Sequence, residues 1–164
     1  LNLASDNAPE WEAWRHAIEW VEDKKDFFDI FISIPTTSPL RSTSDVEKCL
    51  LALDKRIDMV ITMSKSARSP WFNMVKKEKN GYLSLINSEK KGYINRQSAP
   101  LTYDMTTVAY VSRPDYIKKS KGIFDGNVHG IEIPIERSID IDTEFDFKLT
   151  ELILKQKKDF KIGN

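Results

Sequence analysis

Residues 28–34 read FDIFISI, a short and nearly continuous apolar run that is halted by Pro35. Such a run is typical of a strand buried on both faces of a mainly parallel sheet. A polar loop follows, and a helix is predicted from about Ser44. Residues 58–63 form another apolar strand. Strand, loop, helix and strand thus follow in the order of a right-handed parallel crossover, which predicts a wound α/β sheet flanked by helices.

Two amphipathic helices are predicted near the two ends of the chain. The first ends near Glu22, and the last begins after Thr143, which forms a capping-box variant with Asp146. The Lys-rich segment after Lys155 is expected to fray. Apolar side chains at helical spacing predict the faces that pack into the core, which are Trp11, Trp14, Ile18 and Val21 in the first helix and Phe145, Leu149, Leu152 and Ile153 in the last.

The remaining segments predict further strands and one polar region. Residues 107–111 and 129–135 favour strands of the sheet or of its edge, because they are rich in β-branched and aromatic side chains. Residues 64–100 are polar, with a strand or hairpin expected around residues 82–86. No repeat or linker divides the sequence, so we predict a single domain over residues 1–164.

Composition excludes two classes of partner. Lysine plus arginine and aspartate plus glutamate each number 25, so no net charge attracts nucleic acid or anionic lipid. The sequence has no signal-peptide pattern and no apolar run long enough to span a bilayer. The single cysteine, Cys49, lies on the apolar stripe of the second helix and has no partner for an internal disulfide. We therefore expect a cytoplasmic protein that binds neither nucleic acid nor membrane.

Residues 138–144 read SIDIDTE and carry the clearest chemical signal. Asp140 and Asp142 are two residues apart, so in extended chain their carboxylates point the same way. Mg²⁺ is usually held by one or two carboxylates together with substrate phosphates. The alternative is a pair of exposed acids that stabilises the N-terminus of the following helix. The residues alone leave both interpretations open.

Two other segments offer groups for an anionic substrate. Arg41 lies in the loop after the first buried strand, at the carboxyl edge of the sheet, where ligands bind in open α/β folds. Arg96 and Gln97 provide a guanidinium fork and an amide for carboxylate, phosphate or sugar hydroxyls. Surface arginines are otherwise common. We assign no role to His16 or His129, which are far apart in sequence and belong to no partner motif.

Several segments together resemble the acylneuraminate cytidylyltransferase family, the CMP-sialic acid synthetases. They are TSPLR at residues 37–41, RQ at residues 96–97 with Pro100, Phe124, and RSIDIDTEFD at residues 137–146. Their order and spacing match the family, and the resemblance extends from residues 3–6 to about Leu154. It implies a Rossmann-like, mainly parallel sheet of the nucleotide-diphospho-sugar transferase type. It also implies a homodimer built through a β extension, at about residues 70–105.

The resemblance implies Mg²⁺-dependent transfer of CMP from CTP to the anomeric hydroxyl of a nonulosonic acid such as sialic acid. Pyrophosphate leaves, and the product serves surface glycans such as lipopolysaccharide. Asp140 and Asp142 would hold the metal on the triphosphate, and Arg96 would be a third catalytic residue. By the same resemblance the sugar contacts would be Ser38, Arg41, Gln97, Asp104, Tyr110 and Phe124, and the nucleotide contacts Asp6 and Ala8.

The sequence departs from the family at three places. Pro35 replaces a Gln that contacts the sugar, and Asp104 replaces an Arg that would meet the sugar carboxylate. Because an acid at position 104 repels that carboxylate, we expect a differently bound sugar or another nonulosonic acid, of the legionaminic or pseudaminic type. The Gly- and Lys-bearing loop with which the family cradles phosphates has no counterpart in these 164 residues. We therefore expect the isolated chain, which resembles the family without its first nucleotide-binding segment, to be almost inactive.

Two alternatives stay open at this point. One is a non-catalytic module that keeps the fold and dimerises or binds a sugar; the lack of the phosphate loop favours it, and the presence of Asp140 and Asp142 opposes it. The other is a cytidylyltransferase for a 3-deoxy-octulosonate sugar, which would share the fold and the chemistry. The SIDIDTE string disfavours that second alternative.

Overall fold

The computed structural model describes residues 3, 5, 8–88, 92–93 and 95–161, except for the side chains of Arg96 and of residues 157–161. Its helices are α1 (Glu10–Glu22), α2 (Thr43–Ala52), α3 (Pro114–Lys119) and α4 (Glu144–Lys161), and short 3₁₀ turns span Arg96–Ser98 and Ile135–Arg137. Its strands are β1 (Phe31–Ser33), β2 (Met59–Lys65), β3 (Val75–Lys77), β4 (Leu83–Leu85), β5 (Tyr103–Ser112) and β6 (Val128–Glu132). The chain forms two compact units, which are residues 1–63 with 105–164 and residues 64–104.

The four-stranded sheet has the order β1-β5-β2-β6. β2 and β6 pair in parallel, with Met59 opposite Val128. β1 and β5 pair antiparallel, with Phe31 opposite Ser112. β5 also runs against β2, because the Ser112 hydroxyl at its end donates to the carbonyl of Asp58, just before β2 begins. Three of the four strands therefore run in one direction, and the predicted α/β fold with a mainly parallel sheet is confirmed.

β1 is shorter and more exposed than the sequence predicts. It spans three residues rather than all of residues 28–34, and each of the three is half-buried. Ile30 and Ile34 on either side are 44% and 46% exposed. The reason is the position of β1, which pairs only with β5 and so lies at the edge of this sheet. Enclosure on both faces belongs instead to β2, whose first four residues are all buried.

Two apolar clusters cover the two faces of the sheet. Successive residues of a strand point to opposite faces, so Met59 and Ile61 join one cluster while Val60 joins the other. The first cluster also contains Trp11, Trp14, Ile18, Tyr110 and Ile117, and the second contains Cys49, Ala109 and Val111. Three residues of the predicted α1 stripe and the strand at residues 107–111 thus contribute to the core, whereas Val21 is half-buried and belongs to neither cluster.

Cys49 is a core thiol, as predicted. It is fully buried in the second cluster, and burial raises its pKa to about 11, with a smaller contribution from the charge of Asp45. The side chain is therefore protonated at neutral pH, when a thiol reacts poorly.

The inward face of α4 differs from the predicted stripe. Phe145 and Leu152 were assigned to that face but are 72% and 54% exposed. The buried side chain is Thr150, between the half-buried Leu149 and Ile153, so the helix is rotated by about one residue. α4 also continues to Lys161, beyond the predicted fraying after Lys155.

The second unit, residues 64–104, is built on a hairpin. β3 and β4 pair antiparallel with Val75 opposite Leu85, which confirms the hairpin expected around residues 82–86. The unit coincides with most of the segment at residues 70–105 for which the resemblance implies a β extension. It carries exposed apolar side chains, among them Val75, Tyr82, Leu83, Ile86 and Leu101.

Within the ranges that the structure describes, no helix combines the length and the apolar character needed to cross a membrane.

Candidate functional site

The acidic segment, which we define as residues 138–142, follows the sheet's last strand at its carboxyl edge. After β6 the amide of Ile133 donates to the carbonyl of Met63 at 2.7 Å, and the 3₁₀ turn at residues 135–137 comes next. The amide of Ile141 then donates to the carbonyl of Thr37 at 2.9 Å. The segment therefore lies beside the β1–α2 loop, residues 34–42, at the edge where open α/β sheets bind ligands.

Helix α4 begins immediately after the acidic segment. The amide and hydroxyl of Thr143 both donate to Asp146 Oδ2, at 2.8 and 2.6 Å, and the amide of Asp146 donates back to the hydroxyl at 3.2 Å. This arrangement confirms the predicted capping box. It fixes the end of the acidic segment to the first turn of a long helix.

One carboxylate oxygen of Asp140 is a candidate ligand for a cation. Its Oδ1 atom is buried and has no hydrogen-bond donor among the described residues. Burying an anionic oxygen without a partner is unfavourable, and a bound cation would offset that penalty. Asp142, two residues on, is exposed. In the described part of the chain no three acidic, His or Cys side chains form a metal cluster, but Mg²⁺ with phosphate ligands needs only one or two carboxylates.

Glu10 and Tyr110 belong to the same acidic region, and no sequence pattern predicts a role for Glu10. Burial raises the pKa of Glu10, a hydrogen bond with Trp14 lowers it, and the charge of Asp140 raises it further. Burial also raises the pKa of Tyr110 to about 12, and the charges of Glu10 and Asp140 add to this effect. The only local signal was the apolar stripe of α1, which predicted the helix without placing its first turn near Asp140.

Tyr110, which the resemblance assigns to the sugar, is a core residue of the sheet. It is 3% exposed, pairs in the sheet with Ser33 at the end of β1, and packs on Trp14 with ring centroids 5.0 Å apart. Its hydroxyl is neutral at physiological pH because its pKa is about 12. Tyr110 can therefore donate one hydrogen bond at an otherwise acidic edge.

The β1–α2 loop is held closed by the side chains predicted to touch the sugar. Ser38 is fully buried, and its hydroxyl shares a 2.6 Å hydrogen bond with Thr107 of β5. Arg41 Nη2 donates to the carbonyl of Pro35, and burial lowers the pKa of Arg41. Arg41 Nε is buried and has no acceptor among the described residues. Both side chains thus have structural contacts here, and Arg41 retains an unused donor.

Arg137 and Asp45 form a buried ion pair that ties the acidic segment to α2. Arg137 Nε and Nη2 donate to Asp45 Oδ2 and Oδ1 at 2.8 and 2.7 Å, and Asp45 is fully buried. The amide of Ser42 donates to the same carboxylate at 2.9 Å, which closes the capping box of α2. Burial raises the pKa of Asp45, but the hydrogen bonds from Arg137 and Ser42 outweigh it and hold the pKa below its usual range. Arg137 is the first residue of the RSIDIDTEFD segment that carries the family resemblance, but the sequence pattern predicts no role for it.

Ala8 and Phe124 both belong to the first unit but lie in different parts of it. Ala8 precedes α1, and its amide donates to the carbonyl of Ser5 at 2.9 Å. Phe124 is 69% exposed in the segment that leads into β6. That segment lies at the start of β2, where the amide of Asn127 donates to the Asp58 carboxylate at 2.8 Å. Phe124 is therefore at the amino edge of the sheet, opposite the acidic segment.

The other predicted contacts lie in the second unit or outside the described residues. Gln97 lines a cleft of about 400 Å³ with Ser66, Ser69 and residues 99–102. Asp104 is exposed near the start of β5. Arg96 is in a 3₁₀ turn, and its side chain lies outside the described part of the chain, as does all of Asp6.

Comparison with known proteins gives two sequence relatives. No protein-family model matches the chain. The chain is 30% identical over 165 residues to post-translational flagellin modification protein B of Campylobacter coli, an alignment that covers 97% of this chain and 69% of the relative. It is also 30% identical over 105 residues to CMP-N,N'-diacetyllegionaminic acid synthase of Campylobacter jejuni subsp. jejuni serotype O:2, covering 62% of this chain and 43% of that relative.

The solved structures that share the fold include the following two. One is CMP:2-keto-3-deoxy-manno-octonic acid synthetase complexed with CTP, with a TM-score of 0.58 and 15% identity over 93% of this chain and 70% of the other. The second is 4-diphosphocytidyl-2C-methyl-D-erythritol synthase from Anaerococcus prevotii, with a TM-score of 0.54 and 16% identity over 83% of this chain and 64% of the other. At these identities the likeness shows a shared Rossmann-like fold and nothing finer.

Replacing Asp45 by Asn tests the ion pair. We expect the Asp45→Asn variant to lose about 3 kcal/mol of unfolding free energy at neutral pH, because Arg137 loses a buried charged partner. The folded-state pKa of Asp45 lies below its usual 3.8, so the stabilisation is present above that value and is lost as pH falls through the lower pKa.

Urea unfolding of parent and variant across the acidic range measures this difference. It should be constant at neutral and weakly acidic pH and should narrow in strong acid. Asp54→Asn, which removes an exposed pair with Arg56, is the control and should change the unfolding free energy by less than about 1 kcal/mol. A parent–variant difference that does not vary with pH would contradict the assignment.

Proposed function

Because the chain belongs to the acylneuraminate cytidylyltransferase family, which includes the CMP-nonulosonic acid synthases, we propose that it serves transfer of CMP from CTP to a nonulosonic acid. The anomeric hydroxyl of the sugar attacks the α-phosphate of CTP, and pyrophosphate leaves. One observation carries the proposal: a carboxylate oxygen of Asp140 is buried, the described residues supply it with no donor, and it lies at the carboxyl edge of a sheet whose fold is shared with a CTP-binding synthetase. The 3-deoxy-octulosonate alternative is supported by the likeness of fold, at 15% identity, whereas the sequence relatives at 30% identity are named for flagellin modification and legionaminic acid. The non-catalytic alternative is supported by the lack of a phosphate-cradling loop in these residues.

Asp140 and Asp142 are the residues that would hold Mg²⁺. When bound with the triphosphate, the ion would neutralise negative charge on the α-phosphate and on the leaving pyrophosphate. Asp140 would supply a desolvated oxygen, whose attraction for a cation is stronger than that of an exposed one. Asp142, which is exposed and two residues further along the chain, would supply the second oxygen. The neutral hydroxyl of Tyr110 would donate to an anionic substrate oxygen.

For the sugar we propose a legionaminic-type nonulosonic acid rather than sialic acid. Asp104 occupies the position at which the family resemblance places an arginine for the sugar carboxylate. One relative is named for synthesis of CMP-N,N'-diacetyllegionaminic acid. Contacts of the sugar with Ser38, Arg41, Gln97, Asp104 and Phe124, contacts of the nucleotide with Asp6 and Ala8, and catalysis by Arg96 remain predictions, as does a cytoplasmic location.

Pyrophosphate release with a panel of sugars tests the function. The protein is assayed as this chain and in its natural reading frame, with CTP, Mg²⁺ and either N-acetylneuraminic, N,N'-diacetyllegionaminic, pseudaminic or 3-deoxy-octulosonic acid. We expect the fastest release with the legionaminic acid. We expect slower release from the 164-residue chain alone, because the family's phosphate-cradling loop has no counterpart in it. No release with any sugar in either form would contradict the proposal and favour the non-catalytic alternative.

Replacing Asp142 by Asn tests the metal assignment. We expect kcat to fall about 100-fold or more, because a charged ligand that stabilises the transition state is lost. The side chain is exposed, so the unfolding midpoint should not change. Glu144→Gln is the matched control, since Glu144 is an exposed acid two residues away that pairs with Lys148. Equal activity of the Asp142→Asn variant and the parent over a range of Mg²⁺ concentrations would refute the assignment.

We further propose that the protein forms a homodimer and that the second unit provides the interface. The exposed apolar side chains of its hairpin, such as Val75 and Leu83, support this proposal because such groups favour association. Sedimentation equilibrium should give twice the mass of 19.0 kDa, and Leu83→Lys should shift the protein to a monomer. Leu51→Lys, an exposed position on α2, should leave the dimer intact. A parent mass of one chain would contradict the proposal.

A further inference from the structure

The acidic segment is fixed to the first unit at three points. Arg137, directly before the segment, binds Asp45. In the middle of the segment, the amide of Ile141 donates to the carbonyl of Thr37. After its end, Thr143 caps α4. Asp140 and Asp142 are the neighbours of Ile141. Each aspartate therefore lies between two of the three contacts, which limit how far its carboxylate can move.

The contact at the start of the segment differs from the others in strength. Arg137 donates two charged hydrogen bonds to one carboxylate, at 2.7 and 2.8 Å, whereas the middle contact is a single neutral bond. Such bidentate pairs are stronger than neutral bonds, and they fix orientation as well as distance. Asp45 has no exposed surface, and the Arg137 side chain is 27% exposed. Water therefore competes weakly for this pair.

Asp45 is itself a rigid anchor. It is in the first turn of α2, and the amide of Ser42 donates to its carboxylate at 2.9 Å. The β1–α2 loop ends at Ser42, so one carboxylate joins three structures: the loop, the helix and the turn that leads into the acidic segment. The position of Arg137 is consequently set by a capped helix and not by a mobile side chain.

Arg137 is also the last residue of the 3₁₀ turn at residues 135–137. The backbone leaves the turn at Ser138, whose amide and hydroxyl both bind the carbonyl of Ile135, at 3.2 and 3.0 Å. Asp140 follows two residues later. An anchor at the end of a tight turn fixes the direction in which the following segment leaves, and so restricts where the backbone carries Asp140.

We propose that Arg137 is a positioning residue for the cation site. Through Asp45 it holds the acidic segment in the conformation in which the carboxylates of Asp140 and Asp142 share one divalent cation. The inference rests on the proposed function, because it requires a cation at these two carboxylates. It adds a residue that does not touch the metal, the nucleotide or the sugar and that acts only through the backbone of the acidic segment.

The test uses Mn²⁺ as a paramagnetic probe in NMR spectra of the chain. In the parent, Mn²⁺ should broaden the amide signals of residues 140–142 first. In the Arg137→Met variant we expect that about tenfold more Mn²⁺ is needed for the same broadening, a loss within the range that outer-shell partners of metal ligands give. The amide of Ile141 should also exchange its hydrogen about tenfold faster, because local opening of the segment becomes easier.

Two further variants separate positioning from general stability. The Asp45→Asn/Arg137→Met double variant removes both charges of the ion pair, so neither partner is left as an unpaired charge. The bond between the acidic segment and α2 is also lost, so the weakened Mn²⁺ response should persist. Lys118→Met removes the ion pair between α3 and Glu22 of α1, which has bonds of 2.7 and 2.8 Å and lies outside the proposed site. It should lower the unfolding midpoint without changing the Mn²⁺ response.

The outcomes distinguish the inference from the function on which it rests. If Mn²⁺ does not broaden residues 140–142 of the parent selectively, the cation site itself is refuted. If the parent responds and Arg137→Met responds at the same Mn²⁺ concentration, or if the double variant regains the parent response, the positioning role is overturned. The positioning role is supported if both Arg137 variants show faster amide hydrogen exchange at Ile141 together with a weaker Mn²⁺ response.

Discussion

The architecture of this protein depends on the antiparallel strand β5, which lies between β1 and β2 and pairs with both. The junction between β5 and β2 includes a buried hydroxyl. Thr62 has no exposed surface, and its Oγ1 donates to the carbonyl of Thr106 at 3.1 Å and accepts from the amide of Ala109 at 3.2 Å. A side chain thus satisfies backbone groups of β5 in the centre of the sheet, as buried polar groups require.

The same strand links the core to the carboxyl edge. Its alternating side chains supply Ala109 and Val111 to one apolar cluster and Tyr110 to the other. Thr107 binds Ser38 and so holds the β1–α2 loop, which in turn accepts the amide of Ile141 from the acidic segment. A continuous set of contacts therefore leads from the centre of the sheet to the carboxylates.

Two aspartates at this edge, Asp45 and Asp140, have different electrostatic surroundings. Asp45 is neutralised by Arg137, and its pKa is low because hydrogen bonds outweigh the effect of burial. Asp140 is near Glu10, whose pKa is raised by burial and by the charge of Asp140. Asp45 is thus satisfied within the protein, whereas Asp140 has a buried oxygen to which no group in the described part of the chain donates. In the proposed function Asp140 is the acid that binds the metal ion, because a cation would offset both the desolvation and the repulsion.

Local patterns in the amino-acid order were enough to predict the stripe of α1, the apolar strand β2, the capping box of α4 and the acidic pair before it. Each depends on spacing within a few residues, which local periodicity and capping chemistry govern. Only the tertiary structure decided which strand neighbours β1, which side of α4 is covered, and that Glu10 and Asp45 lie near a segment about a hundred residues away in the chain. Those outcomes depend on contacts between distant parts of the chain, because burial and charge pairing arise only when the sheet and its helices are packed together.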